Sequence, residues 1–200
     1  RRAHGRQTRH RETTNEEVNG PTTPPHRLKI KLVGEALREQ IAKARAAAEV
    51  PVFTPAFLER AAAEPTAAAA EAGLETEVLN RMLKGEQDTV VTACTDHHDG
   101  PHSPPGQPCT ASFFVCLNCK NARALPRHLP VQVAVHDRLL ALRPNLDSNV
   151  WRVRYEATVH QLQAIIDHYT PAEQADARGP LPPHQVRLVG DLIAGRLDLR

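Results

Sequence analysis

Thr92–Arg123 reads TACTDHHDGPHSPPGQPCTASFFVCLNCKNAR and carries all four cysteines of the chain, Cys94, Cys109, Cys116 and Cys119. Their spacing is C-x14-C-x6-C-x2-C. Zn²⁺ favours four soft ligands in a tetrahedron, and a C-x2-C turn offers two thiolates to one metal without backbone strain. The stretch between the first two cysteines holds Gly100, Pro101, Pro104, Pro105, Gly106 and Pro108. Such a loop is expected to have little packing of its own, so its ends need a tie, and a metal supplies one. Disulfides are the first competing reading, a redox C-x2-C the second and inert buried thiols the third. The first needs an oxidising compartment. The second usually opens a helix after a strand. The third does not account for clustering in a proline-rich loop. Structural zinc held by Cys94, Cys109, Cys116 and Cys119 is the expectation. His97, His98 and His102 are spare ligands should one cysteine be replaced.

Outward from this loop, composition bounds the rest. Two hundred residues suffice for one domain or two small ones. Aromatics are 4%, so the core must rest on Leu, Val, Ile and Ala, and alanine-rich segments without clean alternation predict a mainly α chain. The formal net charge of +2 does not by itself call for nucleic acid. Its distribution is more telling, because Arg1, Arg2, Arg6, Arg9 and Arg11 crowd the start, either as a phosphate-tracking tail or as a solvated one. No apolar export segment opens the sequence and no run is long enough to span a bilayer, so a cytoplasmic protein without a membrane partner is expected. The chain starts at Arg1 and its one methionine is Met82, which suggests either a fragment or an unusual reading frame.

Four stretches follow. Residues 1–27 are polar, proline-bearing and aperiodic, a flexible basic tail. Residues 28–91 form a helical segment. Its first helix is expected from Leu28 to Glu49, with Ile30, Val33, Leu37, Ile41, Ala44 and Ala48 on one face. Shorter helices are expected after Thr54-Pro55, from Thr66 to Ala72, and from Thr76 to Lys84. Residues 92–123 are the zinc loop, with a possible strand at Ser112–Leu117. Residues 124–200 are helical again. One helix opens at Pro130, the longest runs from Ser148 to Tyr169 along Trp151, Tyr155, Val159, Leu162, Ile166 and Tyr169, and the last spans Pro183 to Ala194 with Val186, Val189 and Ile193 inward.

Pro65–Gly85, PTAAAAEAGLETEVLNRMLKG, has the pattern of a helix-turn-helix. Small Ala69 sits where two helices meet, Gly73 takes the turn, and Ala68, Ala72, Leu74, Leu79 and Met82 fill the buried positions. Asn80, Arg81 and Lys84 are then the candidate DNA-binding residues. Glu75 and Glu77 at the helix entry repel phosphate, and a plain αα-hairpin is the simpler reading. No G-x-S-x-G, P-loop, dinucleotide fingerprint or H-E-x-x-H is present, so no catalytic residue is assigned. Asp96, His97, His98 and Asp99 read as support for the loop, His160 and His168 as surface histidines.

Thr89–Pro130, TVVTACTDHHDGPHSPPGQPCTASFFVCLNCKNARALPRHLP, resembles the cysteine-rich C-terminal tail of large phage-type integrases of the tyrosine recombinase family from GC-rich bacteria. The resemblance extends over Thr54–Arg200. It implies a context of DNA integration and recombination, with DNA, a neighbouring protomer or the catalytic domain as partner. The family nucleophile is a tyrosine nine positions after a histidine, attacking a DNA phosphate. Counting from His10, that offset falls on Asn19, while Tyr155 and Tyr169 lie deep in the tail. This chain alone is therefore expected to be non-catalytic. The alternative is a free-standing zinc-stabilised helix-turn-helix regulator, and a pure protein-interaction module is a third possibility.

Overall fold

Proline and its partners decide where the helices of this protein begin. In the computed structural model, residues 33–35, 37 and 49–197 are described. The chain divides into two units, Arg1–Ala47 and Ala48–Arg200. In the first, the described residues are helical and Val33 and Leu37 are exposed. The basic tail 1–27 and most of the expected Leu28–Glu49 helix lie outside the described residues.

The second unit opens with three short helices: α1 (Pro55–Ala63), α2 (Pro65–Glu71) and α3 (Thr76–Leu83). Thr54 caps α1, its Oγ1 accepting from the Phe57 N–H at 3.4 Å, with Pro55 at the first helical position. Pro65 expels Glu64 from helical geometry (φ −136°, ψ 70°), which breaks α1 from α2. Gly73 ends α2 at φ +65°, letting the Leu74 N–H reach back to the Ala69 carbonyl at 2.9 Å. Phe53 and Phe57 stack at 4.2 Å and pack with Ala61, Ala68, Ala69, Leu79, Met82, Ala93 and Leu125 into a small core.

Two-residue strands β1 (Ala93–Cys94) and β2 (Ala122–Arg123) pair antiparallel, Ala93 opposite Arg123 and Cys94 opposite Ala122. They close the neck of the cysteine loop. Ser112–Leu117 is not a strand: Val115–Asn118 is a 3-10 turn that curls Cys116 toward Cys119. A strand there would send the adjacent Phe113 and Phe114 to opposite faces, whereas both pack on the larger core.

The larger core belongs to α4 (Leu129–Leu142), α5 (Ser148–Trp151), α6 (Ala157–Ile166), α7 (Pro171–Ala177) and α8 (Pro183–Ile193). Val131, Val135 and Leu139 of α4 meet Val159, Leu162 and Ile166 of α6. The expected Ser148–Tyr169 helix is interrupted by a π-helical segment, Arg152–Glu156, and α6 stops at Ile166, though Trp151, Val159, Leu162, Ile166 and Tyr169 are all buried. On α8 the buried residues are Val189 and Leu192, while Val186 is 53% exposed. The protein is thus mainly α-helical. Among the described residues no helix is long and apolar enough to cross a membrane.

Candidate metal centre

The cysteine loop holds together through its backbone more than its composition suggests. Asp96 Oδ1 accepts from the His98 and Asp99 N–H groups at 2.7 and 3.1 Å. The Cys109 N–H donates to the His97 carbonyl at 2.7 Å, and the Gly106 N–H to the His98 carbonyl at 3.1 Å, pinning the proline-rich excursion at its base. Asn121, buried beside β2, donates its Nδ2 to the carbonyls of Asp96 (2.8 Å) and Asp99 (3.0 Å). One amide with two donors therefore spans the loop. Sequence reasoning missed Asn121, and its place two residues after Cys119 is the only signal that marks it.

Within this frame Cys94, Cys109, Cys116 and Cys119 line a single cavity of about 20 Å³, enough for one water-sized particle. Each side chain is partly buried and unoxidised. Cys94 comes from β1, Cys116 from the 3-10 turn, and Cys119 follows that turn with its N–H on the Cys116 carbonyl at 3.2 Å. Gly100 lies close beneath Cys109: a Cβ there would stand 3.8 Å from the Cys109 sulfur. As they stand, no three or more His, Cys, Asp or Glu among the described residues form a group able to hold an ion. The four thiols share a cavity without converging into such a group.

Their electrostatics explain what a cation would meet. Burial pushes the Cys116 thiol up to about 11, and the neighbouring Cys119, Cys94 and Cys109 add to the rise. Burial also raises Cys94, against the pull of the Asp96 N–H, with Cys119 and Cys109 raising it further. At neutral pH these two sulfurs keep their protons, which a cation would have to displace. Beside them, burial lowers the Arg123 pKa while Cys119 and Cys94 oppose that change. Arg123 donates from Nη1 to the carbonyls of Lys120 and Ala122, both at 2.8 Å, and its buried Nε has no partner. A half-buried cation of this kind suits a cluster of thiolates.

Of the spare histidines, only His102 borders the cavity. His97 and His98 are exposed, their rings 5.2 Å apart, and serve the loop through their carbonyls. Asp96 also borders the cavity.

No family model, curated protein or solved structure matches this chain.

The candidate DNA-binding residues lie on α3 and just after it. Lys84 is exposed, and Asn80 and Arg81 are half-buried. Arg81 is engaged within the fold. The Gln87 amide, oriented to satisfy its neighbours, accepts from Arg81 Nη2 at 3.2 Å and donates to the Cys94 carbonyl at 3.1 Å. Residues 55–88 hold three basic side chains (Arg60, Arg81, Lys84) against seven acidic ones (Glu59, Glu64, Glu71, Glu75, Glu77, Glu86, Asp88). α2 and α3 are two short helices joined through Gly73, on a stretch with an acidic excess.

The two tyrosines differ in access. Tyr169 is buried, its hydroxyl has no partner, and burial raises its pKa. Tyr155 is half-buried on the π segment, against Trp151 at 5.9 Å. His160 and His168 are exposed.

Proposed function

We propose that this chain is a zinc-stabilised, non-catalytic helical domain acting in DNA integration and recombination, equivalent to the C-terminal region of a tyrosine recombinase. The observation that carries the zinc reading is the shared cavity of Cys94, Cys109, Cys116 and Cys119, about the size of one ion, with the half-buried Arg123 near enough to Cys119 and Cys94 to feel their charge. Four thiols fit the soft-ligand preference of Zn²⁺. A bound Zn²⁺ would supply fixed geometry to the loop, with Asn121 and the β1–β2 pair as its outer support. The integrase context rests on the resemblance of Thr89–Pro130 to the family tail.

Strand cleavage by this chain alone has little to work with. A nucleophilic tyrosine needs a lowered pKa or a base beside it, and arginines on the scissile phosphate. Tyr169 has the opposite environment, buried and raised. The chain should therefore form no covalent adduct with a nicked suicide DNA substrate. An adduct that disappears on Tyr155→Phe or Tyr169→Phe overturns this reading.

The second reading, a free-standing zinc-stabilised helix-turn-helix regulator, is favoured by the α2–Gly73–α3 geometry. The acidic surface of residues 55–88 weighs against it, because phosphate docking needs the opposite charge.

A further inference from the structure

The arginines of this fold differ in what holds them. Arg60, Arg127, Arg178 and Arg196 each hold a carboxylate: Glu71, Asp88, Asp137 and Asp191 respectively. Arg138, Arg143, Arg152, Arg154 and Arg187 are exposed and have no carboxylate partner among the described residues, and Arg143, Arg152 and Arg154 of these form one set. All three lie around the break between α4 and α6. Arg143 stands 5.8 Å over the Trp151 ring, and Arg154 stands 5.9 Å over Tyr155. Arg152 Nη2 reaches only the Asn149 side-chain oxygen, at 2.7 Å. Stacked on a ring, a guanidinium is held in place while its donors stay free for a planar or tetrahedral oxyanion.

The backbone here is unusual as well. Residues 152–156 form a π-helix, a rare geometry that recurs at functional sites. Its consequence is that Arg152, Val153 and Arg154 are all exposed in succession. Val153 is 81% exposed, the most of any large apolar side chain among the described residues. With Val150, 41% exposed, it gives the surface beside the two cations an apolar component. From residue 138 to 154 the acidic side chains are limited to Asp147, and its carboxylate is occupied by the Asn149 and Val150 N–H groups. Glu156 lies next along the chain, half-buried in a cavity of about 270 Å³ whose walls include Arg143 and Trp151.

We infer that Arg143, Arg152, Val153 and Arg154, presented by the π-helical turn, form the surface through which the chain grips duplex DNA. The arginines pair with backbone phosphates and Val153 packs against the sugar edge between them. This deepens the reading above, on whose DNA context it rests, and moves the contact from α3 to the α5–π–α6 junction. Phosphate contacts of this kind position the protein without reading sequence.

The test uses the full chain, zinc-loaded as purified, and a labelled duplex of arbitrary sequence, with affinity followed by anisotropy as salt rises. Each phosphate contact adds about 0.9 to the slope of log K against log salt, so Arg152→Gln with Arg154→Gln should reduce the slope by about two. Between about 50 and 200 mM salt the wild type should then lose roughly tenfold more affinity than the double variant. Val153→Ser should weaken binding with the slope unchanged. Asn80→Ala with Lys84→Gln should leave both unchanged. Circular dichroism and zinc content should be the same for all four proteins, since every altered side chain lies at or near the surface. Wild-type binding that the Arg152/Arg154 pair does not alter, or that the α3 variant abolishes, overturns this inference and leaves the DNA context standing. No wild-type binding at about 50 mM salt overturns both.

Discussion

At the scale of single residues, His128 shows how the fold holds a titratable group neutral. Its ring is buried, and Nδ1 accepts the Leu125 N–H at 3.2 Å, which leaves the proton on Nε2. Nε2 stands 3.2 Å from Asp88 Oδ1 but is not directed into a hydrogen bond, so that attraction is electrostatic. Burial dominates and pushes the pKa down to about 4, against the Asp88 carboxylate. Burial alone would raise Asp88, but Arg127, gripping both oxygens at 2.7 and 2.6 Å, and His128 hold it below the usual carboxylate range. The sign follows from proton counts. Between the ordinary histidine value near 6.5 and about 4, the unfolded chain binds a proton that the folded chain does not, so stability falls as pH falls through that window. The loss should be roughly 2–4 kcal/mol and nearly complete near pH 4, below which protonation of Asp88 continues the decline. Thermal or urea unfolding at a series of pH values measures it. In His128→Gln the dependence between about 6.5 and 4 should flatten. A wild-type stability that stays level across that window contradicts the assignment.

At the scale of elements, the helix punctuation was legible and the interruptions were not. Thr54-Pro55, Gly73, Gly85 and Pro183 mark ends that local chemistry fixes, and the structure has helix boundaries at each. The apolar stripe from Trp151 to Tyr169 also emerged from spacing alone, because burial follows the period even where the hydrogen-bond ladder changes. The π segment left no trace in that spacing: it alters which carbonyl each N–H reaches while keeping Trp151 and Val159 inward. α7 was missed although Thr170-Pro171 and Glu173 form a capping box, since its seven residues contribute one buried side chain, Ala177, and hence no stripe. β1 and β2 are two residues each, too short for alternation to register, and their pairing depends on partners 28 or more positions away. In the candidate site, the cysteines grouped by spacing line one cavity but form no ion-holding group as they stand, whereas Asn121 and Arg123 matter through contacts no spacing encodes. Asp147 offers a test at this scale. Its carboxylate caps α5 through the Asn149 and Val150 N–H groups at 2.9 and 3.2 Å. Asp147→Ala should cost about 1 kcal/mol and lower Tm by about 2–4 °C. A Tm within error of wild type in a calorimetric scan contradicts that role.

At the scale of the whole molecule, the loop and the helical core divide the work. The core around α4 and α6 buries enough Val, Leu and Ile to hold the C-terminal helices by packing. The loop between β1 and β2 has hydrogen bonds at its base but few apolar contacts along 96–110, where most side chains are exposed. On this account Zn²⁺ adds the missing constraint, worth on the order of 10 kcal/mol in small zinc peptides. The proposed DNA surface at the α5–π–α6 junction sits on that core. The loop's share in this division depends on the thiols holding a metal. The most direct test is zinc content and thiol state of the full chain purified without chelator, by elemental analysis and mass spectrometry. The account predicts about one zinc per chain with Cys94, Cys109, Cys116 and Cys119 all reduced, falling well below one when any of the four is changed to Ser. A chain with no zinc and two disulfides among these cysteines contradicts it.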